Sequence, residues 1–222
     1  MPRAPFLSPA RLAPVVLALL PVFTATPLTA HAAAGIDLLA AVPIVNEHTI
    51  SDVACGQAAA TMVLDYYLGR EGVTPSRVGI GTVARYVKFN YRNGVPTGTN
   101  PSSVARGIVA AGDMLGIPLT ASWARADPVD WQTTLGEQLQ SGQPVIVYLT
   151  NGGMLWNNAW RYGHYVVVSG LTARGQVVYH DPFDGREHAV SAATFARVWG
   201  FGARRSWTFL HVEPAIGSAA TA

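Results

Sequence analysis

The stretch Asp52-Val-Ala-Cys55-Gly-Gln-Ala-Ala-Ala-Thr-Met-Val-Leu-Asp-Tyr-Tyr67 decides how this chain folds, and it contains the only cysteine. Its apolar and aromatic residues recur at helical spacing, which predicts one buried stripe. Ser51 or Asp52 is predicted to cap the helix, and Gly69 is predicted to end it in a left-handed conformation. The sequence therefore predicts a helix that begins near Cys55.

Cys55 falls in the first turn of this predicted helix. Unpaired backbone N–H groups and the positive end of the helix dipole favour a thiolate there, and the thiolate is the nucleophilic form of cysteine. Gly56 leaves the sulfur uncrowded. The alternative is that a lone cysteine packs as a small buried hydrophobic residue. A single cysteine has no partner for an internal disulfide, so in an exported protein it is either deeply buried, paired with another chain, or kept for reactivity.

The amino terminus has the features of a secretory signal peptide. Arg3 and Arg11 precede the apolar run 12–23, and Ala30-His31-Ala32 follows as a small-residue cleavage site. The alternative is a membrane anchor, but the run is short for a span and is interrupted by proline. We therefore expect a signal peptide at 1–32, secretion without a membrane anchor, and a single domain at 33–222.

Composition restricts the class of function. The chain has 222 residues, of which 50% are hydrophobic and 13% charged, which favours a compact globule over disorder. Its 15 Lys and Arg against 13 Asp and Glu form no basic cluster, so we expect no nucleic-acid partner. One cysteine without a zinc-binding motif and the absence of a glycine-rich phosphate loop predict no metal and no cofactor. The oligomeric state stays open.

The order of the predicted elements indicates an α+β fold. Helices at about 101–114 and 129–140 come first, and strands follow at 143–149, 163–170 and 176–181. A further strand at 187–190, a short helix at 192–199 and a final strand at 206–212 complete an antiparallel sheet. Residues 83–90 fit either a helix or a strand.

Two of the predicted strands place chemistry at one edge of the sheet. His164 opens one strand, Asp181 ends the next, and the connection between them is hairpin-sized. The imidazole and the carboxylate are therefore expected to meet. A thiol needs a base, and the base needs a group that orients it. Cys55, His164 and Asp181 would fill these roles as catalytic residues.

Two loops hold further candidates. Asn46, Glu47 and His48 come a few residues before Cys55, so they either reach the sulfur or form a solvated loop. Trp156 and Trp160 lie in the long loop 151–162. They are substrate-binding candidates, although packing of the loop onto the core is an equal alternative.

Four motifs in order carry a resemblance to a known family: Cys55-Gly-Gln-Ala-Ala, Gly142-Gln-Pro-Val-Ile-Val, Gly163-His-Tyr-Val-Val-Val-Ser-Gly170 and Val177-Val-Tyr-His-Asp-Pro182. The chain resembles the papain-like cysteine peptidases over about 42–182, and within them the bacteriocin-processing, double-glycine leader peptidase family and its secreted relatives. The resemblance implies a papain-like fold, in which an amino-terminal helix with the cysteine packs on an antiparallel β-sheet with the histidine and the aspartate. It also implies Cys55 as nucleophile, His164 as general base and acid, and Asp181 as the orienting residue.

The chain departs from that family near the cysteine. The family usually has a glutamine shortly before the cysteine, and this glutamine donates to the oxyanion. Asn46, Glu47 and His48 occupy the region here. Asn46 and His48 are the oxyanion candidates, because an amide and a ring N–H donate whereas an ionised Glu47 cannot. Gln57, where the family often has proline, is not assigned this role.

Three functional hypotheses follow. The first is a secreted cysteine peptidase-like hydrolase that cleaves peptide or amide bonds of a peptide or protein substrate through a Cys55 thioester. The second keeps this chemistry in an amidase, or in an acyl transferase of the transglutaminase type. The third is a non-catalytic binding module on the same fold. The leader peptidases belong to membrane transporters, so their substrate is not implied for this chain.

Overall fold

The structure is a computed structural model that describes residues 36–37, 42–72, 78–156, 162–202 and 206–215. The predicted signal peptide and Trp160 lie outside the described residues. All described residues fall within one compact unit. Within these ranges, no helix combines the length and the apolar character needed to cross a membrane.

The central helix, α1 (Cys55–Arg70), begins at the cysteine as predicted. Every residue from Cys55 to Leu68 is buried, because the segment is apolar on nearly all sides and other elements enclose it. The predicted ends are wrong. Ala54 occupies the N-cap without a side-chain hydrogen bond, and the helix continues through Gly69. The left-handed residue after the helix is Gly72, at φ +72°.

The remaining elements follow the predicted order. The other helices of the described chain are α2 (Ile80–Val83), α3 (Pro101–Leu115), α4 (Trp131–Gln140) and α5 (Ala192–Trp199). The strands are β1 (Ile36–Asp37), β2 (Tyr91–Arg92), β3 (Val95–Pro96), β4 (Leu119–Arg125), β5 (Val145–Leu149), β6 (His164–Leu171), β7 (Gln176–Asp181), β8 (Arg186–Ser191) and β9 (Thr208–Pro214). Two 3₁₀ turns lie at Glu47–Thr49 and Gly152–Leu155.

The main sheet is antiparallel throughout its pairings. The strand order is β4-β9-β5-β6-β7-β8, and β1 pairs with β6 beside this row. The last strand, β9, therefore lies between β4 and β5. Strands β2 and β3 form a separate hairpin whose turn, Asn93-Gly94, has positive φ at both positions, as a tight hairpin turn requires.

Helices cover both faces of this sheet. Helices α1 and α3 pack on one face with Ile146, Tyr165 and Val167. Helices α4 and α5 pack on the other face, which Val147 and Val166 help to form. Strands β5 and β6 read as unbroken apolar runs because alternating side chains are buried on both sides. The arrangement confirms the predicted α+β class, with the Cys55 helix packed on an antiparallel sheet.

The stretch 83–100 resolves as helix α2, the β2–β3 hairpin and a loop that is fastened to α1. The Gln57 side-chain amide donates to the Val87 carbonyl at 3.0 Å and to Thr99 Oγ1 at 2.9 Å. The Tyr165 hydroxyl donates to the Thr99 carbonyl at 2.8 Å. These bonds hold the loop 97–100 beside the start of α1. Gln57 is thus a structural anchor in the described chain.

Candidate active site

His164 and Asp181 meet where β6 begins and β7 ends. The strand register pairs Val167 with His180, which brings the two side chains to the same end of the sheet. The His164 Nε2–H donates to Asp181 Oδ1 at 2.8 Å, and the Phe183 N–H donates to the same oxygen at 2.9 Å. Both partners are buried. The carboxylate therefore fixes the imidazole and leaves Nδ1 to face outward from the pair.

Cys55 lies against this pair as the first residue of α1. Its Sγ, a ring nitrogen of His164 and a carboxylate oxygen of Glu47 all lie within 4.8 Å of one another. As the first helical residue, Cys55 also has a backbone N–H with no acceptor inside the helix. The sulfur is thus next to a base and to a helix amino terminus.

Electrostatics hold a proton on the imidazole of His164. Burial, the largest influence, lowers the pKa of His164, but hydrogen bonds and charge interactions with Asp181 and Cys55 outweigh it. The net result is a pKa well above the ordinary value of 6.5. An imidazolium between a carboxylate and a sulfur matches the charge-separated state of a cysteine–histidine pair.

Glu47 is the residue of the preceding loop that reaches the sulfur. Its side chain is 2% exposed and lies in the first 3₁₀ turn, whose position is fixed by a bond from the Glu47 N–H to the Pro182 carbonyl at 2.9 Å. Burial raises its pKa from 4.5 to about 7. The sequence-based exclusion of Glu47 assumed an ionised carboxylate, and the burial that removes this assumption is visible only in the folded chain.

The two predicted oxyanion candidates have other partners. The Asn46 Oδ1 accepts from the His48 N–H at 2.8 Å, so it caps the 3₁₀ turn. The His48 ring bonds through Nδ1 to Asp52 at 2.8 Å and lies on the exposed side of the turn. It also packs edge-on against Phe183. Glu47, between them in sequence, is the residue of this turn that points to the thiol.

Trp156 packs on the histidine. Its ring centroid lies 5.1 Å from that of His164, 4.7 Å from Phe183 and 6.2 Å from Tyr162. The indole thereby covers the His164–Asp181 pair, which matches the packing alternative for this residue. Contact with a substrate stays a prediction for Trp156. Trp160 lies outside the described part of the chain.

The thiol opens into a cleft of about 870 Å³. Glu47, Cys55 and His164 form its floor, while the loop 97–100 lies on one side and Tyr148 on another. The loop is the wall that Gln57 fastens to α1. No motif in the sequence marks the loop 97–100, so its position beside the cleft could not be predicted.

Glu47, Cys55 and His164 also form a set that could hold a metal ion. A carboxylate, a thiol and an imidazole are donor types that zinc accepts, but His164 is already bonded to Asp181 and to Cys55, so none of the three is assigned as a metal ligand. The expectation of no metal stays a prediction.

Comparison with known proteins gives concordant findings. A model of a family described as "Peptidase_C39 like family" matches residues 39–203, well over half of the chain. Cysteine protease effector 1 of Escherichia coli O1:K1:H7 is 33% identical over 48 residues, which cover 22% of this chain and 10% of that protein. The similarity thus spans a tenth of that relative's length.

Among solved structures, xylellain, a cysteine protease from Xylella fastidiosa, is similar with a TM-score of 0.47 and 10% sequence identity. The alignment covers 86% of this chain and 90% of that one.

A helix that begins with the cysteine and packs on an antiparallel sheet that carries the histidine is the arrangement of a papain-like cysteine peptidase. The extent of the family match makes the assignment definite: the chain belongs to the Peptidase_C39 like family. The chain therefore falls in the cysteine-peptidase class by family. The predicted papain-like resemblance is confirmed at this level.

Proposed function

We propose that the protein is a secreted hydrolase that cleaves peptide or amide bonds through a Cys55–His164–Asp181 triad. The observation that carries the proposal is the buried chain of contacts from Asp181 through His164 to Cys55, at the floor of an open cleft. The raised pKa of His164 supports it, because the imidazole can then hold the proton that the thiol gives up.

The proposed reaction has two steps. The Cys55 thiolate attacks the substrate carbonyl, and the His164 imidazolium gives its proton to the leaving amine, so that a thioester forms as the C–N bond breaks. Water then attacks the thioester while His164 takes a proton from it. The acid product leaves, and the thiolate and imidazolium are restored. Asp181 keeps the ring oriented in both steps.

The first test measures the reactivity of the thiol itself. We expect iodoacetamide to alkylate Cys55 rapidly at pH 6 in the wild type and at least about tenfold more slowly in His164→Ala, because the ion pair is lost. His211→Gln is the matched control, since this histidine of β9 pairs with Gln138 and Glu213 instead. The rates are read by mass spectrometry of the intact protein.

Hydrolysis of a fluorogenic peptide library completes this test. Cys55→Ser and His164→Ala should abolish a signal that His211→Gln retains. Equal alkylation rates in the wild type and both histidine variants, together with no hydrolysis, would contradict the proposal and leave a binding module with a structural cysteine.

The acceptor of the acyl group separates hydrolysis from transfer. The open cleft gives water access to the thioester, which favours hydrolysis. Adding a primary amine to a reaction with a cleavable substrate tests this, because an amidated product would mean an acyl transferase of the transglutaminase type. An unchanged acid product, identified by mass spectrometry, would mean a peptidase or amidase.

Export is also part of the proposal. The basic start, the apolar run and Ala30-His31-Ala32 support removal of residues 1–32. Expression of the full chain in a bacterium should therefore yield an extracytoplasmic product whose first residue is Ala33, as read by amino-terminal sequencing. Recovery of the full-length chain from the cytoplasm would argue against export.

A further inference from the structure

Backbone hydrogen bonds at both the N–H and the carbonyl of Glu47 fix its position. Its N–H donates to the Pro182 carbonyl, directly after Asp181, and its carbonyl accepts from the N–H groups of Ile50 and Ser51 at 3.1 Å each. The side chain therefore leaves a rigid turn that is fastened to the strand end of the triad. It lies on the cleft floor beside Cys55. Glu47 is not part of the triad, so its fixed position beside Cys55 suggests a separate role.

The carboxyl group of Glu47 has an unsatisfied oxygen. Oε2 is buried and has no hydrogen-bond partner among the described residues. Buried polar atoms are almost always paired, and exceptions often mark a functional group. Because the group lies within 4.8 Å of the sulfur, a substrate carbonyl under attack by Cys55 would come within its reach.

The surroundings of Glu47 decide its protonation. Burial, the dominant influence, raises its pKa to about 7; His164 and His48 lower it, whereas Asp181 and Asp52 raise it. The charged and titratable groups that face it are His164 from β6, Asp181 from β7, Cys55 from α1, Tyr162 before β6, and His48 and Asp52 from its own loop. Below neutral pH the group is thus a neutral acid, which can donate a hydrogen bond.

We propose that Glu47, as a neutral carboxylic acid, donates a hydrogen bond to the oxygen that becomes negative when Cys55 attacks the substrate carbonyl. The Cys55 backbone N–H supplies the second donor of this oxyanion site. The proton stays on Glu47 throughout, so the group stabilises charge and transfers nothing. The proposal rests on the function proposed above, and it replaces Asn46 and His48 as donors, because Glu47 lines the cleft with Cys55 whereas Asn46 and His48 do not line it.

A pH dependence follows from this assignment. An ionised Glu47 cannot donate, and its charge would repel both the oxyanion and the thiolate. The rate of hydrolysis should therefore fall as pH rises through about 7, the pKa of Glu47. The same pH range leaves the imidazolium of His164 in place, because its pKa is also raised.

The test compares Glu47→Gln with Glu47→Leu. The glutamine amide donates at every pH, so Glu47→Gln should keep kcat within about threefold of the wild type at pH 6 and lose the decline above pH 7. Leucine keeps the volume without a donor or a charge, so its kcat should drop by about 100-fold or more at all pH values, with a smaller change in KM. Glu71→Gln, on an exposed residue after α1, is the control.

Alkylation of Cys55 by iodoacetamide separates this proposal from the underlying one. The alkylation forms no oxyanion, so all three variants should be alkylated within about threefold of the wild-type rate at pH 6. Equal losses in Glu47→Gln and Glu47→Leu would overturn the donor role, as would a Glu47→Gln profile that still declines above pH 7. A Cys55→Ser protein that still hydrolyses the substrate would instead overturn the triad.

Discussion

Gly152 shows how closely the site is packed at the scale of single residues. It begins the second 3₁₀ turn, and a Cβ built at this position would overlap the Cβ of His164. No side chain fits such a gap, so the turn can approach the histidine only because residue 152 has none. The same turn leads to Trp156, whose ring covers His164. Gly152 therefore helps to set the position of His164, the proposed catalytic base.

Gly152→Ala should displace His164 and lower kcat/KM by about 100-fold, because misplacing a catalytic group by an ångström has an effect of that order. Gly69→Ala is the matched control, since it lies on α1 with open space around it and should stabilise the helix slightly. The measurement is steady-state hydrolysis together with the melting temperature. Activity equal to the wild type in a folded Gly152→Ala protein would show that the turn gives way.

Among single residues, Cys55, His164 and Asp181 could be proposed from the sequence because element ends mark them. The cysteine opens a helix, and the other two residues open and close adjacent strands. Glu47 could not be assigned in this way. Its protonation depends on burial by β6, β7 and α1, which no local pattern of residues reports.

At the scale of elements, Gln57 joins α1 to the loop 97–100 that forms one wall of the cleft. The buried amide bridges the first turn of α1 to Val87 and Thr99, and Tyr165 of β6 holds the same threonine from the sheet side. Helix, loop and sheet thus meet at Thr99. These hydrogen bonds therefore help to set the width of the cleft.

Gln57→Ala should lower the free energy of unfolding by about 2–4 kcal/mol, because two buried hydrogen bonds are lost and a cavity is left. It should also raise KM, since the 97–100 wall loses its anchor. Gln140→Ala, at the exposed end of α4, should change stability by less than about 0.5 kcal/mol. Urea titrations and substrate kinetics provide the two readouts. An unchanged KM in the folded Gln57→Ala protein would show that Thr99 is held by Tyr165 alone.

The predictability of the elements follows the length of their apolar runs. Strands β5, β6 and β7 are long enough in hydrophobic sequence to be predicted within a few residues. The ends of α1 were predicted wrongly: the helix continues to the exposed Arg70, one residue past Gly69, and its buried first turn has no side-chain cap. The segment 83–90 was ambiguous because it is neither helix nor strand beyond the last residue of α2, and its path is set by packing of Val87 on α1 and α3.

At the scale of the whole molecule, stability is linked to pH through the site. Glu47 has a folded-state pKa of about 7 against an ordinary value of 4.5. A raised carboxyl pKa means that the folded state holds the proton more tightly, so this stabilisation is complete below pH 4.5 and is lost as pH rises through about 7. His164 acts in the same direction, with its contribution complete below pH 6.5. The protein should be most stable in mild acid.

Glu47→Gln isolates the carboxyl part of this linkage. Between pH 4.5 and 8 the wild type should lose about 3 kcal/mol of unfolding free energy relative to the variant, since one pKa unit corresponds to about 1.4 kcal/mol. Guanidinium unfolding at several pH values measures the difference between the two proteins. Stability curves that stay parallel across this range would mean that Glu47 ionises as readily in the folded chain as in the unfolded one.

The placement of β9 has a consequence for how the chain folds during its synthesis. Strand β9 follows the other described strands in the chain and fills the gap between β4 and β5, so a nascent chain that ends before Thr208 has no partner for β4. Pairings so distant in sequence form late in folding. Cys55 is made about 150 residues before β9, yet β9 alone among the described strands joins β4 to the sheet that carries His164. We therefore expect a nascent chain to hold its thiol well before the sheet beside it is complete.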